Sequence, residues 1–412
     1  LIPIAILTLN TALVLVLVAL TFVFYALMSR VERSPGGKRD LPFISIVVPA
    51  RNEEGKIERC LESLAGQDYP CFEIVVVDDR STDRTAEIIE RAASRDPRIK
   101  FITAKSLPEG WIGKCNALVH AGAHASGEWL LFTDADTCHR SNSARDAVSY
   151  AMRNQADLVS FVPVQELGGF WERAVMPVLL GSFLLGDPFH TVNNQRQERA
   201  YAYGQYVLAR RSAYEAAGGH QAVRDEILED HAIARVVKRK GFVVLCADGH
   251  DLYSVRMYTS LKTMWQGWTK NLYSLIDCRP LNLILILTLI NCALLAPFLH
   301  LLAAASTCVQ APPGDDAPVM AALALVEMAA LFAWYRRTCY HYQGVDWRHF
   351  LLLPLGALTV TVLYLHAAYL VHSGGQVNWK GRRYTVNSSR TIERTGGAHL
   401  DPALDRDTSA YN

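Results

Sequence analysis

The pattern of apolar and polar positions divides the chain into two kinds of segment. Residues 5–28 (AILTLNTALVLVLVALTFVFYALM) form an apolar run without a charge, and three further apolar stretches occupy 281–305, 319–335 and 350–372. A helix of about 20 apolar residues crosses a bilayer core of ~30 Å. Between these ends, residues 43–250 alternate short β-rich runs with amphipathic stretches. Strands are predicted at FISIVV (43–48), FEIVVV (72–77), IKFIT (99–103), EWLLFT (128–133) and DLVSFV (157–162), and helices at 54–65, 82–94, 114–125 and 141–154. Such alternation predicts an α/β fold with a mostly parallel sheet and flanking helices. In sheets of this kind ligands gather at the carboxyl ends of the strands.

The expected organisation is a membrane anchor over 1–29, a soluble domain over 40–255, an interfacial helix segment over 256–280, membrane helices over 281–373 and a basic tail over 374–412. The first apolar run is longer than a signal-peptide core and is followed by Arg30, Arg33, Lys38 and Arg39. That places an uncleaved anchor with its C-terminal end in the cytosol. The loop CVQAPPGDDAP lacks Lys and Arg, which suits the outer side, whereas Arg336, Arg337 and Arg348 suit the cytosol. If all four runs span, the tail emerges outside, yet its Lys380, Arg382, Arg383, Arg390 and Arg394 favour the cytosol. One run is therefore expected to be re-entrant or interfacial, and 319–335 is the shortest. Trp171–Pro188 is too interrupted to span and reads as an interfacial or a core helix. A formal net charge of +1 gives no attraction to nucleic acid. The nine cysteines form no CxxC pair, so neither a zinc site nor a disulfide framework is suggested.

Chemistry enters at the strand ends. Strand one runs into Pro49-Ala50-Arg51-Asn52-Glu53, strand two into Asp78-Asp79-Arg80-Ser81, and the fourth into Asp134-Ala135-Asp136. Carboxylates at the ends of apolar strands are costly unless cations or donors meet them. Asp134 and Asp136 are hard oxygen ligands whose spacing suits Mg²⁺ or Mn²⁺ with phosphate oxygens completing the shell. GKCNAL (113–118) opens a helix, and its free N–H groups with Lys114 and Asn116 make a candidate diphosphate site. Neither GxGxxG nor GxxxxGK[ST] occurs, which disfavours a dinucleotide fold and a P-loop. Glu229 and Asp230 are either helix-start acids or, for Asp230, a general base. His250 either supplies a third metal ligand or packs, and packing is preferred.

Together VVDDRSTDRT, GKCNAL, TDAD, LEDH and QGWTK resemble the family-two membrane glycosyltransferases of GT-A fold. The resemblance is greatest to the branch that includes ceramide glucosyltransferases and hopanoid- and carotenoid-associated transferases. It covers about 43–275, and WKGRRY (379–384) extends it to the tail, near the active site. It implies that Asp78 or Asp79 meets the donor base and ribose, with Pro49, Arg51 and Glu53 nearby. It also implies that Asp134 and Asp136 bind metal and diphosphate, that Asp230 beside Glu229 is the base, and that Gln266 and Trp268 hold donor and acceptor ends together. The chain departs from the family's Q-x-x-R-W motif, having Lys270 where charge is needed, and Lys does not reproduce bidentate phosphate binding. The implied activity is an inverting transfer, dependent on Mg²⁺ or Mn²⁺, from a nucleotide diphosphate sugar (a UDP-sugar is expected) to a lipid acceptor. It would occur on the cytosolic face of a bacterial inner membrane. The alternatives are a processive polysaccharide synthase, for which four apolar runs offer little channel, and a nucleotide-binding transporter or scaffold.

Overall fold

The computed structural model describes residues 2–34, 41–104, 106–186, 189–310, 316–340, 344–386 and 392–393. Seven strands form its central sheet: β1 (Ile44–Ala50), β2 (Phe72–Asp78), β3 (Ile99–Thr103), β4 (Trp129–Phe132), β6 (Leu158–Val162), β8 (Val207–Arg210) and β9 (Val244–Asp248). Their order across the sheet is β3-β2-β1-β4-β8-β6-β9. Strand β8 runs antiparallel to β4 and β6, and the other neighbours are parallel. A small second sheet joins β5 (Thr137–His139), β7 (Val164–Gln165) and β10 (Tyr253–Val255). All five strands expected from periodicity are present, and the helices predicted between them are α2 (Ile57–Ala65), α3 (Thr85–Arg95), α4 (Gly113–His124) and α5 (Ser143–Arg153).

Period-two alternation sends each strand's side chains to two cores. Ile44, Ile46 and Val48 pack with Ile74, Val76 and Leu131 against α2, α3 and α5. Val47, Val75, Val77 and Leu130 pack on the other face against α4 and α9 (Glu229–Arg239). Two short helices, α7 (Phe189–Asn193) and α8 (Arg211–Ala216), flank β8 in the chain. Because both faces are covered, the strands read as nearly continuous apolar runs. Each fully buried Val, Ile or Leu contributes about 1.5–3 kcal/mol. The registers Val47↔Phe132 and Ala50↔Asp78 bring the ends of β1, β2 and β4 to one edge. That edge carries the acids.

Among the described residues four helices are long and apolar enough to cross a membrane: α1 (Ile2–Leu27), α11 (Pro280–Gln310), α12 (Ala317–Cys339) and α13 (Trp347–Ser373). The run 319–335, expected to be the re-entrant or interfacial one, is helical throughout. This stretch is part of an unbroken 23-residue helix, because Arg336–Cys339 continues it past the apolar run. It also holds one charge, Glu327, fully buried. Glu327 accepts from Asn10 Nδ2 (2.9 Å) and Thr11 Oγ1 (3.1 Å) of α1 and pairs with His300 of α11 (2.8 Å). A carboxyl so placed in an apolar bundle is expensive unless partnered, and its partners tie three helices together. Helix α13, by contrast, lies against α6 (Phe170–Gly186) and α10 (Leu261–Leu275). Its Gly356 touches Ala174 of α6. Trp265 Nε1 donates to His366 (3.0 Å), and Tyr273 bonds His372 (2.9 Å). Ala174, Val175, Val178 and Leu179 of α6 are buried in this cluster, which fits the core-helix reading of that segment.

The region expected to be a basic tail contains strands. Strands β11 (Gln376–Trp379) and β12 (Arg382–Val386) form an antiparallel hairpin, while Arg390 and Arg394 lie outside the described residues. Its two-residue turn, Lys380-Gly381, has φ of 48° and 75°, the left-handed pair that suits a tight hairpin. The hairpin docks on the acid-bearing edge of the sheet.

Candidate active site

The edge opens into a cleft of about 1320 Å³, counting its mouth, walled by β-strand ends, α4, α9, α10 and the hairpin. Of the residues singled out in the sequence, Pro49, Arg51, Glu53, Asp79, Lys114, Asp134, Asp136, Glu229 and Asp230 line it. Residues from the chain's far end, Trp379, Lys380 and Arg382, complete the wall.

Opposite charges interlock around it. Lys114 Nζ lies 2.7 Å from Asp134 and 2.7 Å from Glu229. Burial opposes its charge, but Asp134, Glu229 and Asp230 outweigh that and hold the ammonium well above the usual lysine range. Burial likewise opposes ionisation of Glu229, and Lys114 outweighs it, holding the carboxyl below the usual range. Asp230 is the exception. It accepts from the backbone N–H of Gly204 (2.8 Å) and of His231 (2.8 Å), yet burial and adjacent Glu229 push it up to about 7. A carboxyl that titrates near neutrality in a cleft is a candidate proton acceptor.

Asp136 is also pushed up to about 7, by burial and by Glu53. Lys56 lies 3.6 Å from one oxygen, while Oδ1 is buried without a hydrogen-bond partner. An orphaned carboxylate oxygen beside Asp134 is what a hard cation would satisfy, so these two residues fit Mg²⁺ or Mn²⁺. Among the described residues no third His, Cys, Asp or Glu joins them in a metal-sized cluster. The remaining ligands would come from a phosphate or water. His250 is outside the cleft wall, with its N–H bonded to Asp248 (2.9 Å) at the end of β9.

The hairpin binds the strand ends directly. Arg382 makes two bonds to Asp79 (2.5 and 2.9 Å), and Lys380 pairs with Glu53. Arg51 donates to the carbonyl oxygens of Asp79 (2.6 Å), Arg80 (2.7 Å) and Lys380 (3.0 Å). The Arg382–Asp79 pair lies across the start of α4, whose N-cap residue Ile112 makes no side-chain cap. A Cβ on Gly113 would collide with Arg382 Nη1, so only glycine admits the pair there. Removing one partner of a buried pair costs about 3–5 kcal/mol. Arg382→Ala is therefore expected to lower Tm by several degrees, with Arg382→Lys recovering part of it. Equal Tm values for all three proteins would show that the pair contributes no stability.

Several singled-out residues are placed elsewhere. Asp78 turns back to accept from the N–H of Ser81 (3.3 and 3.2 Å), so Asp79 is the carboxylate that faces the cleft. Asn116 is buried and donates to Ser106 O (2.8 Å), bracing the loop before α4. Gln266 is half-buried and outside the cleft wall, and Trp268 packs behind Tyr258 and against Phe183. Helix α10 instead presents Lys270 and Asn271. Lys270 lies 5.2 Å over the Trp379 ring; burial lowers its pKa, and Glu229 acts in the opposite direction. Sequence reasoning did not single out Lys56, Gln205, Tyr258 or Asn271, none of which belongs to a chemically distinctive pattern.

Comparison with known proteins yields consistent matches. Residues 45–218 match the model of glycosyl transferase family 2. The chain is 31% identical over 232 residues to a 4,4'-diaponeurosporenoate glycosyltransferase of Staphylococcus haemolyticus, covering 56% of this chain and 60% of that protein. It is 24% identical over 355 residues to the Staphylococcus aureus (strain USA300) protein of the same name, covering 84% and 89%. Among solved structures it resembles a mannosyltransferase from Pyrobaculum calidifontis in complex with GDP-Man and Mn²⁺, at 19% identity and a TM-score of 0.48, over 87% of this chain and 97% of that one.

Proposed function

The chain carries a glycosyl transferase family 2 domain, and from that premise we propose that it moves a sugar from a nucleotide diphosphate donor to a lipid acceptor at the membrane surface. The observation that carries this reading is the pairing of Asp230, poised near neutrality, with a cation-lined cleft beside Asp134 and Asp136. The transfer is inverting: one base and one cationic site serve a single in-line displacement. The acceptor oxygen bonds to the anomeric carbon, the bond from that carbon to the diphosphate breaks, and Asp230 takes the acceptor's proton.

Lys114, at the uncapped start of α4, lies where the leaving diphosphate gains charge, and Lys270 and Lys380 flank it. Asp134 and Asp136 would hold Mg²⁺ or Mn²⁺, which when bound neutralises that diphosphate as a Lewis acid. Asp79, fixed by Arg382, faces the donor's nucleoside. The relatives are named for a carotenoid acid, which supports an apolar acceptor bearing a carboxyl or hydroxyl. Purified protein should release nucleotide from one of a panel of UDP- and GDP-sugars only when a lipid extract is present. Equal release with and without lipid would overturn the lipid assignment.

The same reading places the domain on the cytosolic face of a bacterial inner membrane. The hairpin walls the cleft, so in this reading both belong to one side of the membrane, although three long apolar helices separate the hairpin from the rest of the cleft wall in the chain. An odd number of crossings cannot return the chain, so one of the three stays in the near leaflet. We assign that place to helix α13, which packs on α6 and α10 of the cleft-bearing region as well as on α11. In a background without natural cysteines, a cysteine at Val309 should react with an impermeant reagent on intact cells. One at Ser373 should react only after permeabilisation; labelling of Ser373 from outside would overturn this arrangement.

A further inference from the structure

Buried polar atoms without partners are uncommon in folded proteins, because each has given up its hydrogen bonds to water without replacement. Among the described residues, three such oxygens belong to residues of the cleft wall: Asp136 Oδ1, Gln205 Oε1 and Asn271 Oδ1. The proposed cation would satisfy the first. The other two are side-chain amides from different elements, one beside β8 and one on α10.

Gln205 sits between the two sets of acids. Its backbone carbonyl oxygen accepts from Thr133 Oγ1 (2.8 Å), directly before Asp134, and the preceding Gly204 N–H holds Asp230 (2.8 Å). Among the described residues its side-chain nitrogen reaches only the sulfur of Met257 (3.5 Å), a weak acceptor. Asn271 follows Lys270 on α10 and lines the same cleft. The chemistry of an amide limits what can satisfy such a pair. A phosphate oxygen offers no donor to an amide oxygen, whereas a hydroxyl both donates and accepts, so it satisfies an amide in either orientation.

Resting on the proposed sugar transfer, we propose that Gln205 and Asn271 are specificity-determining residues that bind hydroxyl or N-acetyl groups of the donor's sugar between the metal carboxylates and Asp230. They leave the nucleotide and diphosphate to Asp79, Lys114 and the hairpin. A site built to hydrogen-bond a substrate hydroxyl rejects analogues that lack or invert it far better than an apolar pocket does.

The test uses Gln205→Met and Asn271→Leu, which keep volume and remove hydrogen bonding. Because each also removes an orphaned oxygen, Tm of the ligand-free protein should be unchanged or higher. Binding is then measured for UDP, UDP-glucose, UDP-galactose and UDP-N-acetylglucosamine without acceptor, and kcat/KM for the same sugars with lipid extract. Affinity for UDP should stay within twofold of the parent. The preference among the three sugars should change by tenfold or more, in binding and in kcat/KM. An unchanged preference, or equal losses for UDP and every UDP-sugar, would overturn the assignment. A fall in Tm would do the same, since it would mark the amides as structural. If the parent releases nucleotide from no donor, the glycosyl-transfer reading itself fails, while the binding comparison still decides whether these amides contact a sugar.

Discussion

Asp230→Asn is expected to lower turnover by about two to four orders of magnitude, the usual share of general-base catalysis. The amide keeps the shape of the carboxyl and can still accept from Gly204 N–H, but it cannot take a proton. Binding of nucleotide sugar should therefore remain close to that of the parent. The pH dependence carries the same signature. Burial and Glu229 raise Asp230 to about 7, and the base works only when ionised, so kcat should climb as pH rises through that value. In the Asn variant this limb should vanish from the residual activity. Turnover within threefold of the parent at saturating donor and acceptor would remove the role from Asp230. Glu229 would be a poor heir, because Lys114 already holds it 2.7 Å away as an ion pair.

The second large effect concerns the cation. Chelation is expected to abolish transfer, and added Mn²⁺ or Mg²⁺ to restore it. Asp136→Ala should give the same loss permanently, with sharply weaker donor binding. It should do so without unfolding the protein, since burial and Glu53 already disfavour the Asp136 charge and one of its oxygens is unpaired. Full activity in excess chelator would remove metal from the reaction. A large drop in Tm for Asp136→Ala would instead make Asp136 a structural group held by Lys56.

Parts of the site are legible in the amino-acid sequence, and the reason is local. Asp134 and Asp136 stand at the end of a short apolar run, and strand–helix alternation reveals the parallel sheet. Together these put the acids at one edge. Asp230 is readable as one of a pair, but position alone does not separate it from Glu229. The separation depends on Lys114, far upstream in the chain, which neutralises Glu229 and leaves Asp230 to titrate. Asp78 and Asp79 pose the same problem. Only the turn to Ser81 and the arrival of Arg382 show which one faces the cleft. A motif points to Gln266 and Trp268, whereas the docking of α10 against Tyr258 sets which of its residues reach the cavity.

By itself the sequence determined the strands, the amphipathic helices, the membrane-length apolar segments and the acidic strand ends. Each of these follows from interactions within a few residues: the two-residue pleat, the 3.6-residue turn, or the length of an uninterrupted apolar run. The tertiary structure alone decided that the β11–β12 hairpin closes the cleft through Arg382 and Lys380, that α12 is a full-length helix while α13 lies on α6 and α10, and that two side-chain amides with unpartnered oxygens line the cavity. Those outcomes depend on pairing charges and covering apolar faces across hundreds of residues. Coulomb attraction and burial act between whatever the completed chain brings together, and no local pattern records that partner in advance.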